Sequence, residues 1–274
     1  MKRRALLLLG ATAACWGSRR EDWSLARAAA SIARAAQAPA EADPAGFLDQ
    51  LEAMAAQARR LGAHGADASG ALVRVLFEEL GFVREVDSTD LSFVFLPSVL
   101  RQRRGSCVGL GTLYLALAEA LGFAASGVLR PGHFYVHQQG PGSPRNVELL
   151  RRGEAMSDDW YQGRFPVPVG TAAYYARPLT TEQVLGVIEY NVGNERRRQQ
   201  RHAEAEAAYA RAVRLFPTFA EAHASLGAIE HLLGKLSSAS ASYGAARELN
   251  AALPGLDANI ALLAAELRTS SMGL

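Results

Sequence analysis

The chain has 274 residues, 49% hydrophobic and 20% charged, with a formal net charge of +2. These values suit one or two globular domains with real cores. Nothing in the balance argues for a nucleic-acid partner, and no apolar run reaches the length of a membrane span.

Met1-Lys2-Arg3-Arg4 precede an apolar run from Ala5 to Ala14. A charged start followed by a short apolar stretch fits an export signal and is too short to span a bilayer. Ala11-Thr12-Ala13 suits a small-x-small cleavage site. Thr12-Ala13-Ala14-Cys15 is similar to the lipobox of bacterial lipoproteins, in which the Cys is acylated, although Thr12 stands where Leu is usual. Either route places the protein outside the cytoplasm, periplasmic or anchored to a membrane by lipid on Cys15. Removing residues 1–14 leaves 26 basic against 27 acidic side chains, so the basic excess belongs to the signal. Cys15 and Cys107 are the two cysteines. Once Cys15 is removed or lipidated, Cys107 has no intramolecular disulfide partner. By itself a lone thiol reads more readily as a small buried hydrophobe than as a reactive group.

Residues 16–42 are rich in Ala and Arg and read as a linker or as a helix, with Leu25, Ala29, Ile32 and Ala36 at helical spacing. Asp43-Pro44 marks a boundary, Asp43 as N-cap and Pro44 in the first turn. A stripe of Phe47, Leu48, Leu51, Met54 and Ala55 predicts a helix up to Gly62. A second helix is expected over about 68–80, closed by Gly81. The apolar stretch 93–100 reads as helical and leads into Arg101-Gln102-Arg103-Arg104, a solvated helix end or a rim for an acidic substrate. Ser106 is a good N-cap, and Cys107 then falls in the first turn of a helix buried through Leu110, Leu113, Tyr114, Leu117 and Leu121. Gly109 and Gly111 each cost such a helix ~1 kcal/mol, which points to a sheet packing closely against its start.

The period then changes from 3.6 to 2. Strands are expected over 124–129, 133–138 and 146–150, with Pro131-Gly132 as a turn and 140–144 as a loop. Residues 151–178 show no regular pattern. From residue 183 the sequence repeats at a period of 34. Val192-Gly193 recurs as Leu226-Gly227, and Ala205, Tyr209, Ala212 and Leu215 recur as Ala239, Tyr243, Ala246 and Leu249. That is the length and pattern of the tetratricopeptide repeat, with 256–267 as a capping helix.

Chemistry concentrates between residues 104 and 148. A helix N-terminus favours a thiolate, an imidazole can take up the proton, and a third group must then hold the imidazole. Backbone N–H groups at the helix start offer an oxyanion cradle. His133, opening a strand, is the best base. His133 and His137 resemble a zinc-binding pair, but on a strand they lie ~13 Å apart at ~3.3 Å per residue, so no metal is expected. If the flanking strands form an antiparallel hairpin, Tyr135 faces Glu148 and His137 faces Asn146. Glu148 is then one diagonal step from His133, and Asn146 is the more distant alternative as third member. A carboxylate at this position also has a plain reading as a solvated strand residue.

Gly105-Ser106-Cys107 opening a helix, Gly132-His133 opening a strand and an acidic residue on the next strand resemble the transglutaminase-like superfamily. The match extends through residues 76–82 and 99–105, Leu113-Tyr114, and residues 127–134. It is closest to a bacterial subfamily in which such a core is followed by tetratricopeptide repeats. The resemblance implies an α+β fold, a helical shell with a small antiparallel sheet, and then an all-α repeat domain. Its boundaries are a signal or lipobox over 1–15, the Ala/Arg-rich segment 16–42, the core over 43–178, repeats and cap over 179–268, and a tail over 269–274. It implies a papain-like Cys-His-acid triad of Cys107, His133 and Glu148, with Glu148 standing where Asp is usual, and no cofactor. The activity implied is acyl transfer from an amide, to water as a peptidase or amidase or to an amine as a transglutaminase. The repeats would hold a protein or peptide partner. Two other readings stand beside it, a non-catalytic adaptor with a degenerate core and a redox sensor built on the lone thiol.

Overall fold

A computed structural model describes residues 23–36, 44–62, 67–85, 90–139, 145–168, 170–171 and 173–272. The expected export signal, Cys15, Asp43 and the loop 140–144 lie outside the described residues. In chain order the first elements are α1 (Ser24–Ala35), α2 (Pro44–Gly62), α3 (Ala68–Arg74, prolonged by a π-turn over Val75–Glu79), β1 (Val83–Arg84), α4 (Leu96–Gln102), β2 (Arg104–Gly105) and α5 (Cys107–Leu121). A sheet follows, of β3 (Ala125–Arg130), β4 (His133–Gln138), β5 (Arg145–Glu148) and β6 (Glu154–Met156), and then α6 (Asp158–Arg164). The chain continues through α7 (Thr181–Arg198), α8 (His202–Leu215), α9 (Ala220–Leu232), α10 (Leu236–Leu249) and α11 (Leu256–Met272). The fold is α+β, with one small antiparallel sheet inside a helical shell.

α5 is the axle. Ser106 caps it by accepting the Gly109 N–H at 3.2 Å, and Gly122, at φ +74°, ends it. Between them nearly every side chain is buried, so this helix is apolar all round, as a central helix must be. α1, α2 and α4 cover it on the side away from the sheet. α1 is a packed member of this core. Leu25, Ala26, Ala29, Ala30 and Ala33 are buried, and the Glu119 carboxylate of α5 accepts the Leu25 N–H at 3.2 Å and the Ser24 hydroxyl. Small residues there let two helices approach closely.

The sheet is an antiparallel meander in the order β3-β4-β5-β6. Its two faces follow from the alternation of side chains along a strand. Phe134 and Val136 point into the core with α5, while Val128 and Tyr135 meet Tyr161 of α6 in a separate cluster. The β4–β5 register pairs Val136 with Val147 and His137 with Asn146.

Several sequence-based boundaries shift. α4 begins at Leu96 rather than residue 93, because Pro97 fits only a first turn and Leu91–Phe93 form a separate short 3-10 turn. β5 stops at Glu148 instead of running to Leu150. The Glu148 side chain turns back to accept the Leu150 N–H at 3.0 Å and caps a 3-10 turn over Leu149–Arg151. The segment 151–178 contains β6 and α6. The expected tail from 269 is helical as far as Met272. Of the two glycines expected to meet the sheet, Gly111 does so, against Phe134. Gly109 instead lies under the backbone carbonyl of Phe93.

The C-terminal helices pair as α7 with α8 and α9 with α10, and α11 packs on α10. One contact recurs at the 34-residue period. A side chain at Gly193 would overlap the Tyr209 ring, and one at Gly227 would overlap the Tyr243 ring. Among the described residues no helix is long and apolar enough to cross a membrane.

Candidate active site

Three side chains from three elements converge. Cys107 is the first residue of α5, His133 the first of β4 and Glu148 the last of β5. The approach is set by Phe134, whose ring sits against Gly111 of α5 and Gly127 of β3, where any Cβ would overlap it. The neighbouring strand residue, His133, is thereby brought to the level of the α5 N-terminus.

His133 Nε2 lies 2.7 Å from Glu148 Oε2, and both side chains are buried. Cys107 stands on the other side of the His133 ring, near enough to act on its charge. With Nε2 taken by the carboxylate, Nδ1 is the nitrogen left to face the thiol. Burial works against the charged ring, but the hydrogen bonds to Cys107 and Glu148 and the charges of the same two groups outweigh it, pushing the His133 pKa up from 6.5 to about 9. The second carboxylate oxygen of Glu148 accepts the Leu150 N–H, which fixes the carboxylate from behind.

The alternative third member, Asn146, is engaged elsewhere. Its Oδ1 lies 2.8 Å from His137 Nδ1, and its Nδ2 donates to Asp158 at 2.7 Å. Asn146, His137 and Asp158 thus form a separate string beside the first. His137 is paired with Asn146 and not drawn towards His133.

Four contributors went unread in the sequence. Phe165, just after α6, stacks on the His133 ring with centroids 4.0 Å apart and planes 8° apart. Tyr161 stacks on Tyr135 at 3.9 Å, and burial and the nearby Glu148 carboxylate hold its hydroxyl neutral. Trp160 meets Phe165 edge-on at 6.2 Å. Ser157 caps α6 by accepting the Trp160 N–H at 3.1 Å, with Asp158 and Asp159 in the first turn. That Ser-Asp-Asp start is a readable helix signal. The fourth is Asn191 on α7, which reaches the site from the C-terminal helices; no local pattern marks it.

Cys107 and His133 open onto two cavities. One, of about 540 Å³, runs past Arg84, Trp160, Arg164 and Phe165. The other, of about 230 Å³, runs past Leu129, Val187, Tyr190 and Phe219. Cys107, Val108, Gly132, His133 and Asn191 line both, so the thiol sits where two halves of one cleft meet. At the α5 start, the Gly109 N–H goes to Ser106 Oγ and the Leu110 N–H to the Ser106 carbonyl. The first-turn N–H groups of Cys107 and Val108 have no acceptor within the helix, and both residues line the cleft. The arrangement sets a thiol, an imidazole and a carboxylate side by side at a helix start, with open space on both sides.

Residues 45–186, just over half of the chain, match the family model of the transglutaminase-like superfamily. No curated protein matches the chain. Among solved structures, menin aligns in the crystal structure that reveals its binding site for the Mixed Lineage Leukemia (MLL) protein. The alignment covers 84% of this chain and 66% of menin's, at 14% identity and a TM-score of 0.41, too distant to bear on function.

Proposed function

Because this chain belongs to the transglutaminase-like superfamily, we propose that it is a cysteine-dependent acyl-transfer enzyme with Cys107 as nucleophile, His133 as acid and base, and Glu148 as the group that orients His133. The observation that carries this reading is the buried His133–Glu148 pair beside the half-buried Cys107 at the α5 start, opening onto a two-sided cleft. Cys107 Sγ attacks the carbonyl carbon of an amide. The carbonyl oxygen takes up the charge, facing the N–H groups of Cys107 and Val108. The C–N bond breaks as His133 gives its proton to the departing amine, leaving a thioester on Cys107. Water or a second amine then loses a proton to His133 and attacks the thioester. Water gives hydrolysis, and an amine gives transfer.

We place the chain in the bacterial subfamily whose core is followed by tetratricopeptide repeats, with α7–α8 and α9–α10 as the two repeats and α11 as cap. The recurring Gly193–Tyr209 and Gly227–Tyr243 contacts support this. A protein or peptide substrate would lie along the repeats and enter the cleft past Asn191. We further propose export, with Cys15 lipidated or removed, which mass spectrometry of the mature N-terminus tests.

The direct test is the rate of Cys107 alkylation by iodoacetamide between pH 5 and 9, in wild type and His133→Ala. Rapid alkylation at pH 6 that the variant loses is the expected result. Identical profiles in the two proteins would defeat the enzyme reading. Cys107→Ala then separates an enzyme, whose biological effect is lost, from an adaptor, whose effect remains.

A further inference from the structure

The larger half of the cleft is unbalanced in charge. Its acidic side chains are both committed. Glu148 holds His133 and the Leu150 N–H, and Glu85 lies 3.1 Å from Arg104. Of its three arginines, Arg151 is paired with Glu154 at 2.7 Å. Arg84 and Arg164 are exposed and have no acidic partner among the described residues. The guanidinium of Arg164 lies over the Phe165 ring, 5.5 Å from its centroid, and Phe165 stacks on His133 at 4.0 Å. The stack places the Arg164 guanidinium, unpaired among the described residues, one ring beyond His133. The floor between is apolar, made by Val94, Leu150 and Trp160.

We propose that this half of the cleft is a subsite for an acidic peptide, in which Arg84 and Arg164 receive a carboxylate two or three residues from the amide that Cys107 attacks. The spacing follows from the two stacked layers between His133 and Arg164, against ~3.3 Å per extended residue. Arginine suits the role, because its planar fork matches a carboxylate and stays charged at every working pH. The other half of the cleft, lined by Leu129, Val187, Tyr190 and Phe219, would take the apolar side of the same peptide. The inference deepens the acyl-transfer reading and rests on it.

The test compares two reagents of similar size on the full chain, anionic iodoacetate and neutral iodoacetamide, at low ionic strength. In wild type the iodoacetate-to-iodoacetamide rate ratio at Cys107 should exceed that of free cysteine. Arg84→Gln or Arg164→Gln should each lower it about 2-fold, and the double variant about 4-fold, as expected for a charge on the order of 10 Å away in water. Arg247→Gln, the same charge change on the distant α10, is the control and should leave the ratio alone. Salt near 1 M should shrink the wild-type ratio. A ratio indifferent to both cleft arginines, or lowered equally by Arg247→Gln, overturns the subsite. Iodoacetamide alkylation no faster than that of free cysteine would instead overturn the Cys–His reading beneath it, so the two failures are distinguishable. As a second arm, a blocked glutamate-containing peptide should protect Cys107 from iodoacetamide better than its glutamine counterpart. Equal protection by both counts against the subsite.

Discussion

At the residue scale, His133 carries the largest consequence. A free histidine titrates near 6.5, and in the fold this one holds its proton to about 9. The folded chain therefore binds the proton more tightly than the unfolded chain. The resulting stabilisation, at most about 3 kcal/mol, is complete below pH 6.5 and is lost as pH rises through 9. The melting temperature should fall across that window in wild type and much less in His133→Asn. Parallel curves for the two proteins would contradict a ring held charged by its neighbours. Glu148 and Asn146 separate on the same logic. Glu148→Gln keeps the shape and removes the charge, so alkylation of Cys107 at pH 6 should slow at least about 10-fold. Asn146→Ala breaks the string to His137 and Asp158, costing about 1–3 kcal/mol in denaturant unfolding while thiol reactivity at pH 6 stays within about 2-fold. Equal loss of reactivity in both variants would refute this assignment of the third position. That Glu148 rather than Asn146 lies beside His133 was legible from register alone, because pairing His137 with Asn146 leaves Glu148 diagonal to His133. What the register did not convey is that Glu148 ends its strand and is fixed by the turn it caps.

At the scale of the element, the site depends on how closely β4 approaches α5. Gly111 and Gly127 leave the space that the Phe134 ring fills. Gly111→Ala improves helix propensity by ~1 kcal/mol, yet it forces the ring out of place, and such overpacking typically costs 1–3 kcal/mol. The expected outcome is a less stable protein in which Cys107 alkylation also loses its dependence on His133. A gain in stability with reactivity intact would mean that the glycine is incidental. Phe165→Ala tests the opposite face. Without the stacked ring, His133 gains freedom and water, and reactivity at pH 6 should fall while the global fold persists. The sequence disclosed α5 and the hairpin through their ends, the Ser106 cap and Gly122 stop of the helix and the Pro131-Gly132 turn between the strands. It disclosed the need for closeness through two glycines in a helix, and was right about Gly111 and wrong about Gly109. β6 and α6 were hidden because three and seven residues are too short to show a period. Phe165 and Tyr161 were hidden with them, since an aromatic in a short segment announces nothing about which ring it will cover.

For the whole molecule, the question is whether the C-terminal helices are an appendage or a part of the site. α7 answers it. Its Val184, Val187 and Ile188 belong to the same buried cluster as α1 and α5, and Arg196 donates to the Ala36 carbonyl at the end of α1. The same helix presents Val187, Tyr190 and Asn191 to the cleft. At the α9 start, Glu221 accepts the hydroxyls of Tyr174 and Tyr175, tying the second helical pair to the segment that follows α6. By contrast, α11 closes only a small outer cluster with Tyr243 and Ala246. Two truncations should therefore behave differently. Ending the chain at residue 180 strips a wall from the core and should give no cooperatively folded protein. Ending it at residue 250 exposes one end of the stack, as expected where each helical pair depends mainly on its neighbours. That shorter chain should melt earlier but keep pH-dependent alkylation of Cys107. If the 180-residue chain folded and kept its thiol chemistry, the helices would be an independent binding module, and substrate choice would have to be sought in the core alone. If it does not, α7 both completes the cleft and opens the series of C-terminal helical pairs, with no flexible joint between the two.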